Sequence, residues 1–235
     1  MGGLPLGRKR QIITKQIESM SDGISGLAPS ISRLRRQWRQ WAPGFALPLL
    51  GLLILALVLL SLLGESGRLL LRYEREAILQ GEYWRLVTGH LVHGSWLHLF
   101  MNGLGLGLVV ALFPDHYSLR QWLLIGLFSL VAIDVGFVLW EPQLHWYVGL
   151  SGVLHGALAA GAVAWWRQEP RRLALAMTVI FTGKLAWEQW RGALPLSGDL
   201  PVVVDAHLYG ALGGVIAGTI LCLRTRAQVS DGSHS

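Results

Sequence analysis

Long apolar runs dominate the chain from residue 44 onward, and short polar or charged stretches separate them. Each run is about as long as the 17 to 25 residues that a helix needs to cross the hydrocarbon core of a bilayer. The pattern predicts an all-α membrane protein with six spanning helices. The predicted spans are Gly44–Leu63, Trp96–Phe113, Trp122–Trp140, Val148–Trp166, Leu173–Trp190 and Asp205–Leu223.

Polar segments flank this helical domain, which is expected to cover residues 44–223. Residues 1–43 are predicted to be a basic cytoplasmic segment, with an amphipathic helix near residues 31–41 lying on the membrane surface. An ordinary flanking helix is the alternative for that stretch. Residues 224–235 are expected to form a short cytoplasmic tail, and the charged stretch 64–95 a structured loop on the far side.

Composition agrees with a membrane protein, because 52% of the residues are hydrophobic and only 14% are charged. The net charge is +6, and eight of the Lys and Arg residues precede residue 44. A basic cluster beside a membrane span favours anionic lipid, so the bilayer is the expected partner and nucleic acid is not. The lone cysteine, Cys222, excludes an internal disulfide.

The distribution of basic residues predicts the orientation of the spans. With the N-terminus inside, fourteen Lys and Arg residues lie in inner segments and five in outer segments. This bias predicts that both termini are cytoplasmic. The second, fourth and sixth spans then run from outside to inside, which places His98, Ser151 and His207 at similar depth near the outer surface.

Three short motifs carry polar side chains into these spans: HLFMN (His98–Asn102), GLSG (Gly149–Gly152) and AHLYG (Ala206–Gly210). Polar groups are costly in a membrane and usually face a protein interior or a water-filled cavity. Each motif alone has an ordinary structural explanation, such as a serine that bonds to its own helix. Their joint order and depth favour a catalytic site.

The residue types in these motifs suit acyl transfer. Ser151 is a candidate nucleophile, and His207 is the candidate base that takes its proton. His98 and Asn102 lie four residues apart on one helix face, so both can point at an oxyanion. The backbone N–H of Ser151 is a further candidate donor to that oxyanion.

These motifs together resemble the rhomboid family of intramembrane serine proteases, over residues 44–223. In that family, a serine in G-x-S-G of the fourth helix and a histidine in the sixth form a dyad. An H-x-x-x-N motif in the second helix helps to build the oxyanion hole. The resemblance implies a six-helix bundle and a serine endopeptidase that cuts near the outer end of a substrate's membrane helix.

Further positions resemble family features. Residues 84 and 85 match the Trp-Arg pair of the first loop, and His93 matches another family histidine. Gly149 and Gly152 flank the nucleophile, and Gly210 begins a glycine repeat that lets the sixth helix pack closely against a neighbour. These residues are expected to support the active site.

His155 departs from the usual pattern, because many rhomboids carry a tyrosine at this position that stacks on the catalytic histidine. The string GLSGVLHG, with KLAWEQ (Lys184–Gln189) and VVVDAHLYGA (Val202–Ala211), resembles the rhombosortase branch. That resemblance implies a bacterial inner-membrane enzyme with a periplasmic site. It also implies protein substrates that end in Gly-Gly, one membrane helix and a basic cluster. His155 is expected to stack on His207, bond to it or bind substrate, with helix packing as the alternative.

Other polar residues have simpler explanations. Asp205 is expected to cap the sixth helix rather than complete a triad, since residues two apart on a helix do not face each other. Lys184 and Glu188 are expected to form an ion pair that is either structural or part of a lateral gate. Asp134 is expected to pair internally with a partner that the sequence does not identify.

Three alternatives to a serine protease stay open. A metal site could be built from the histidines, but the chain has no H-E-x-x-H string, so no metal and no cofactor are expected. A small transporter could use a polar outer pocket. A non-enzymatic rhomboid-like protein could bind membrane clients, although such a protein would be expected to lack the dyad.

Overall fold

The computed structural model describes residues 46–193 and 202–231, and this part of the chain is mostly helical. The predicted basic segment and its amphipathic helix lie outside the described residues. The chain divides into two units, Met1–Pro48 and Leu49–Ser235, and the site described below lies within the second. The elements are α1 (Ala46–Leu62), α2 (Gly64–Leu71), β1 (Tyr73–Glu74), α3 (Arg75–Leu79), α4 (Arg85–Thr88), α5 (Trp96–Leu112), α6 (Leu119–Trp140), β2 (Trp146–Tyr147), α7 (Ser151–Gln168), α8 (Arg171–Arg191) and α9 (Val204–Asp231).

Each of the six predicted spans overlaps one helix, in order α1, α5, α6, α7, α8 and α9. Among the described helices, α6 and the Val204–Arg224 part of α9 are long and apolar enough to cross a membrane alone. Pro48–Leu62 and Gly64–Leu71 form a third candidate if they are one span bent by 109°. α5 is apolar but shorter, α7 is rich in Ala and Gly, and α8 carries charged side chains. The chain is therefore a helical, multi-pass membrane protein, and six crossings stay a prediction.

The predicted loop between the first two spans is folded. It contains α2, α3 and α4, and its strand β1 pairs antiparallel with β2, which joins α6 to α7. Arg75 donates to the carbonyl oxygens of Phe137 and Glu141, at 2.5 and 2.8 Å, and so ties the loop to the end of α6. Arg85, of the Trp-Arg pair, is buried and donates to two carbonyl oxygens within the loop. The loop is thereby held against the end of the helices that carries the polar motifs.

Small residues let α9 approach α7 closely, backbone against backbone. A Cβ atom added to Gly210 would overlap the carbonyl oxygen of Gly152, and one added to Gly214 would overlap that of Gly156. A Cβ on Gly152 would lie 2.8 Å from the carbonyl oxygen of Ala206. This contact brings together the first turns of the two helices, which carry the predicted catalytic serine and histidine.

We expect Gly210→Ala to destabilise the protein by about 1–3 kcal/mol, because the helices must separate to admit the methyl group. Gly103→Ala is the matched control, since a Cβ at that helical position meets nothing within 4 Å. Thermal unfolding in detergent compares the two variants. An equal melting temperature for both would contradict the proposed tight contact.

The predictions for two isolated acidic residues, Asp134 and Asp205, have different outcomes. Asp134 pairs with the buried His90, whose Nε2 lies 3.4 Å from Asp134 Oδ1, so the predicted internal pairing is confirmed and its partner is identified. The prediction that Asp205 caps the sixth helix is wrong, because α9 begins at Val204 and Asp205 lies inside the first turn. Its carboxylate there complements the positive end of the helix. α9 also continues past the predicted end at Leu223 to Asp231.

Candidate active site

A constrained turn places Ser151 at the first position of α7. Gly149 in this turn has a φ of +120°, and a Cβ there would lie 2.5 Å from Cε1 of His98, so glycine is required twice over. The N–H of Gly149 donates to the carbonyl oxygen of Gly89 at 3.0 Å. Tyr147 donates its hydroxyl to the carbonyl oxygen of Gly149 at 2.8 Å. The backbone leading to the serine is therefore fixed from both sides.

Ser151 and His207 are in hydrogen-bond contact. Oγ of Ser151 lies 2.9 Å from Nε2 of His207, which sits in the first turn of α9 and is 5% exposed. The other ring nitrogen, Nδ1, lies 2.9 Å from Oε2 of Glu188. Because a carboxylate accepts, Nδ1 carries the ring proton, and the lone pair on Nε2 is free to accept the serine proton. This is the tautomer that a general base requires.

Glu188 and Lys184 form the predicted ion pair, with Lys184 Nζ donating to Glu188 Oε2 at 2.6 Å. Both side chains reach from α8 to His207, a contact that the sequence did not predict. Nζ lies 3.4 Å from Nδ1 of His207, but both nitrogens carry protons, so no hydrogen bond joins them. The only available sequence signal was the spacing of four residues, which places both side chains on one helix face.

His155 stacks on His207, with ring centroids 4.0 Å apart and planes inclined by 15°. Its Nδ1 donates to the carbonyl oxygen of Ser151 at 2.6 Å, which leaves Nε2 to accept from Lys184. The expected stacking on His207 is therefore found, and the ring also bonds to Ser151 and Lys184.

The hydrogen bonds of these residues form a closed circuit. The circuit runs from the hydroxyl of Ser151 through His207, Glu188, Lys184 and His155 back to the carbonyl oxygen of Ser151. A single protonation state of each residue satisfies every hydrogen bond in this circuit. The position of the serine and the orientation of its base are thus coupled across three helices.

The candidate oxyanion donors His98 and Asn102 lie on α5. His98 and Ser151 both line one cavity. Asn102 is 3% exposed, and its Nδ2 donates to the carbonyl oxygen of His98 at 2.9 Å. One N–H of that amide is therefore committed to its own helix, and the second remains available. Oδ1 of Asn102 has no hydrogen-bond partner within the described part of the chain.

His93 supports His98 through an edge-on ring contact, with centroids 5.1 Å apart. It lies in the loop before α5 and is buried. Burial, and then the neighbouring His98, lower the pKa of His93 to about 4. The ring is consequently neutral at pH 7, and it packs against His98 without adding charge near the site.

The cavity has a volume of about 240 Å³. A space of this size holds several water molecules or a short stretch of peptide side chains. It is lined by His98, Ser151, the segment 143–148, Val202 and Val203. The serine hydroxyl therefore has room beside it for both a substrate carbonyl and water.

Three side chains of the circuit have the spacing of a metal site. Ligand atoms of His155, Glu188 and His207 lie within 4.8 Å of one another, and two imidazoles with a carboxylate suit zinc. The ammonium of Lys184 contacts all three residues, so a divalent ion would have to displace an existing cation. The donor set therefore fits the lysine better than a metal.

Comparison with known proteins places these features in a family context. Residues 80–224, more than half of the chain, match the Rhomboid domain. The chain is also similar to a protein of Bacillus subtilis (strain 168) named "Putative rhomboid protease YdcA". The two are 29% identical over 79 residues, which cover 34% of this chain and 40% of that protein.

Proposed function

The chain belongs to the rhomboid family, and on that premise we propose that it is an intramembrane serine protease with Ser151 and His207 as its catalytic pair. The observation that carries the proposal is the 2.9 Å contact between Ser151 Oγ and His207 Nε2. This contact lies beside a cavity that can admit a peptide and water. A serine paired with a correctly oriented imidazole is the arrangement that activates a hydroxyl.

The proposed reaction has two stages. Ser151 Oγ bonds to the carbonyl carbon of the scissile peptide while its proton passes to Nε2 of His207. The histidine then gives that proton to the leaving nitrogen, the C–N bond breaks, and the first product departs from an acyl-enzyme. Water attacks this ester with His207 again taking a proton, which releases the acid and restores the serine.

The proposed mechanism assigns three hydrogen-bond donors to the charge that develops on the carbonyl oxygen. The N–H of Ser151 is the first of α7 and has no partner within the helix, and it lies at the positive end of the helix dipole. We assign the side chains of His98 and Asn102 as the other donors. Preorganised donors of this kind stabilise the transition state more than the ground state.

The proposed setting is the bacterial inner membrane, with both termini cytoplasmic and the site facing the periplasm. The bias of basic residues supports this orientation. Ser151 begins α7, and His98 and His207 lie in the first turns of α5 and α9, so all three lie at one end of the bundle. In the proposed orientation that end is the outer one, where water is available for the second stage.

The proposed substrates are exported proteins that end in Gly-Gly, a membrane helix and a basic cluster. Glycine weakens a helix and exposes its backbone, so a Gly-Gly segment presents an accessible peptide bond at the membrane surface. Transfer of the acyl group to another amine is the alternative to hydrolysis. Both outcomes use the same acyl-enzyme.

A matched pair of synthetic substrates in liposomes tests this proposal. Both carry the same apolar helix and basic tail, and one has Gly-Gly where the other has Leu-Leu. We expect the wild-type protein to cut the Gly-Gly substrate at least about tenfold faster, because the leucine pair keeps its backbone in the helix. Mass spectrometry of the products locates the cut and separates hydrolysis from transfer.

The outcomes test separate parts of the proposal. Equal cleavage of both substrates contradicts the Gly-Gly preference but still supports the proposed protease activity. If the protein cuts neither substrate and no other rhomboid substrate, the proposal that it is a protease is contradicted.

A further inference from the structure

Glu188 has no role in a two-residue mechanism, yet its carboxylate lies directly behind the base. We infer that Glu188 is a positioning residue for His207, so that the site is a Ser–His–Glu triad rather than a dyad. The inference rests on the proposed function, because it concerns how the same serine is activated.

The two hydrogen bonds of His207 use opposite edges of its ring. Nε2 accepts from Ser151 and Nδ1 donates to Glu188, each over 2.9 Å. The side chains of His207 and Glu188 are only 6% and 3% exposed. Water therefore does not compete for the bond between His207 and Glu188, and the carboxylate fixes both the tautomer and the rotation of the ring.

The carboxylate also stabilises the charge that develops on the ring. When His207 takes the serine proton it becomes an imidazolium, and a negative oxygen at 2.9 Å from Nδ1 favours that form. Lys184 opposes it, but its Nζ lies farther from Nδ1, at 3.4 Å. Because charge interactions weaken with distance and only the carboxylate is hydrogen-bonded to the ring, the attraction is the larger of the two effects.

Lys184 and His155 hold the carboxylate in place. Lys184 Nζ donates to the oxygen of Glu188 that also faces His207, which balances the charge of a buried carboxylate before the reaction begins. Nζ is in turn oriented by Nε2 of His155. His155 and the lysine–glutamate pair thus belong to one arrangement behind the base.

A purely structural ion pair is the competing explanation, and a set of variants separates the two. Glu188→Gln removes the charge and keeps the size, and Glu188→Asp keeps the charge on a shorter side chain. The double variant Lys184→Met/Glu188→Gln removes both charges, so that no unpaired charge stays buried. Glu141→Gln is the matched control, because Glu141 also bonds to α9, through the hydroxyl of Tyr209 at 2.8 Å, but does not touch His207.

The measurements are kcat and KM for cleavage, the rate at which a fluorophosphonate labels Ser151, and the melting temperature in detergent. We expect Glu188→Gln to lower kcat by about 10³- to 10⁴-fold with little change in KM, and to slow labelling in proportion. Glu188→Asp should retain more of the activity than Glu188→Gln. The double variant should have a higher melting temperature than Glu188→Gln but an equally low kcat. Glu141→Gln should be labelled at close to the wild-type rate.

Two results overturn the triad. One is labelling of Glu188→Gln within tenfold of wild type, and the other is recovery of kcat together with stability in the double variant. If Glu188→Gln does not fold, the double variant and Glu188→Asp decide the question, and wild-type labelling in both contradicts the triad. Loss of activity in Ser151→Ala alongside a fully active Glu188→Gln removes only the triad. An active Ser151→Ala removes the proposed function itself.

Discussion

Replacing Ser151 with alanine is expected to abolish cleavage, and His207→Ala should match it, each lowering kcat by about 10⁶-fold. The hydroxyl and the imidazole act as one unit across their 2.9 Å contact, so the loss of either leaves no activated nucleophile. The double variant should be no slower than either single variant. Cleavage of the Gly-Gly substrate in liposomes, followed over a long time course, measures this loss.

Ser129→Ala provides the control for removing a buried serine hydroxyl. Ser129 lies on α6 and donates to the carbonyl oxygen of Ile125 at 2.7 Å, within its own helix. We expect this variant to keep most of its activity. Substantial cleavage by Ser151→Ala would contradict the assignment of the nucleophile, and would reopen metal-dependent and non-enzymatic functions.

Asn102→Ala is expected to lower kcat by about 10²- to 10³-fold with little change in KM, because an oxyanion donor acts mainly on the transition state. The side chain is buried one turn along α5 from His98, which lines the cavity with Ser151. Only one of its two N–H groups is used by the carbonyl of His98. Asn102→Asp, which replaces the donor with an acceptor of the same shape, should be at least as slow. Steady-state kinetics on the same substrate separates the two parameters.

A rise in KM with an unchanged kcat would give Asn102 a role in substrate binding instead. A drop in melting temperature that accounts for the whole loss would give it a structural role, through its bond to His98. Either result would leave the serine N–H and His98 as the remaining oxyanion donors.

The apolar runs were sufficient to predict where the long helices lie, because a run of this length has few other stable structures in a membrane. Every predicted span overlaps a helix of the structure. Where the observed helix ends differ from the predicted ends, the local sequence accounts for the difference. α9 begins at Val204, so Asp205 cannot be its cap, and it continues past Leu223 because no helix-breaking residue follows there.

The site could be predicted only in part. The motif order indicated which residues to pair, and the glycine repeat that begins at Gly210 indicated that the sixth helix packs closely against a neighbour. The structure identifies that neighbour as α7. The contact between Glu188 and His207 depends on how α8 is rotated against α9, and no periodicity within either sequence determines that rotation. The spacing of Lys184 and Glu188 also had a sufficient local explanation in the ion pair, which hid their shared contact with the base.

The position of His155 shows the same limit. A histidine there was compatible with stacking, bonding or substrate contact, and the sequence does not specify a side-chain rotamer. In the structure the ring stacks on His207 and bonds to Ser151 and Lys184 at once. Only the three-dimensional arrangement assigns its ring proton to Nδ1, because a carbonyl oxygen must accept.

The central claim is that Ser151 is a nucleophile activated by His207. Its most direct test is the site of covalent modification after the full-length protein reacts with a fluorophosphonate in detergent, mapped by peptide mass spectrometry. We expect a single adduct on Ser151 in the wild type, and its near absence in His207→Ala at the same exposure. An adduct on another serine, or equally fast modification of Ser151 without His207, would contradict the claim.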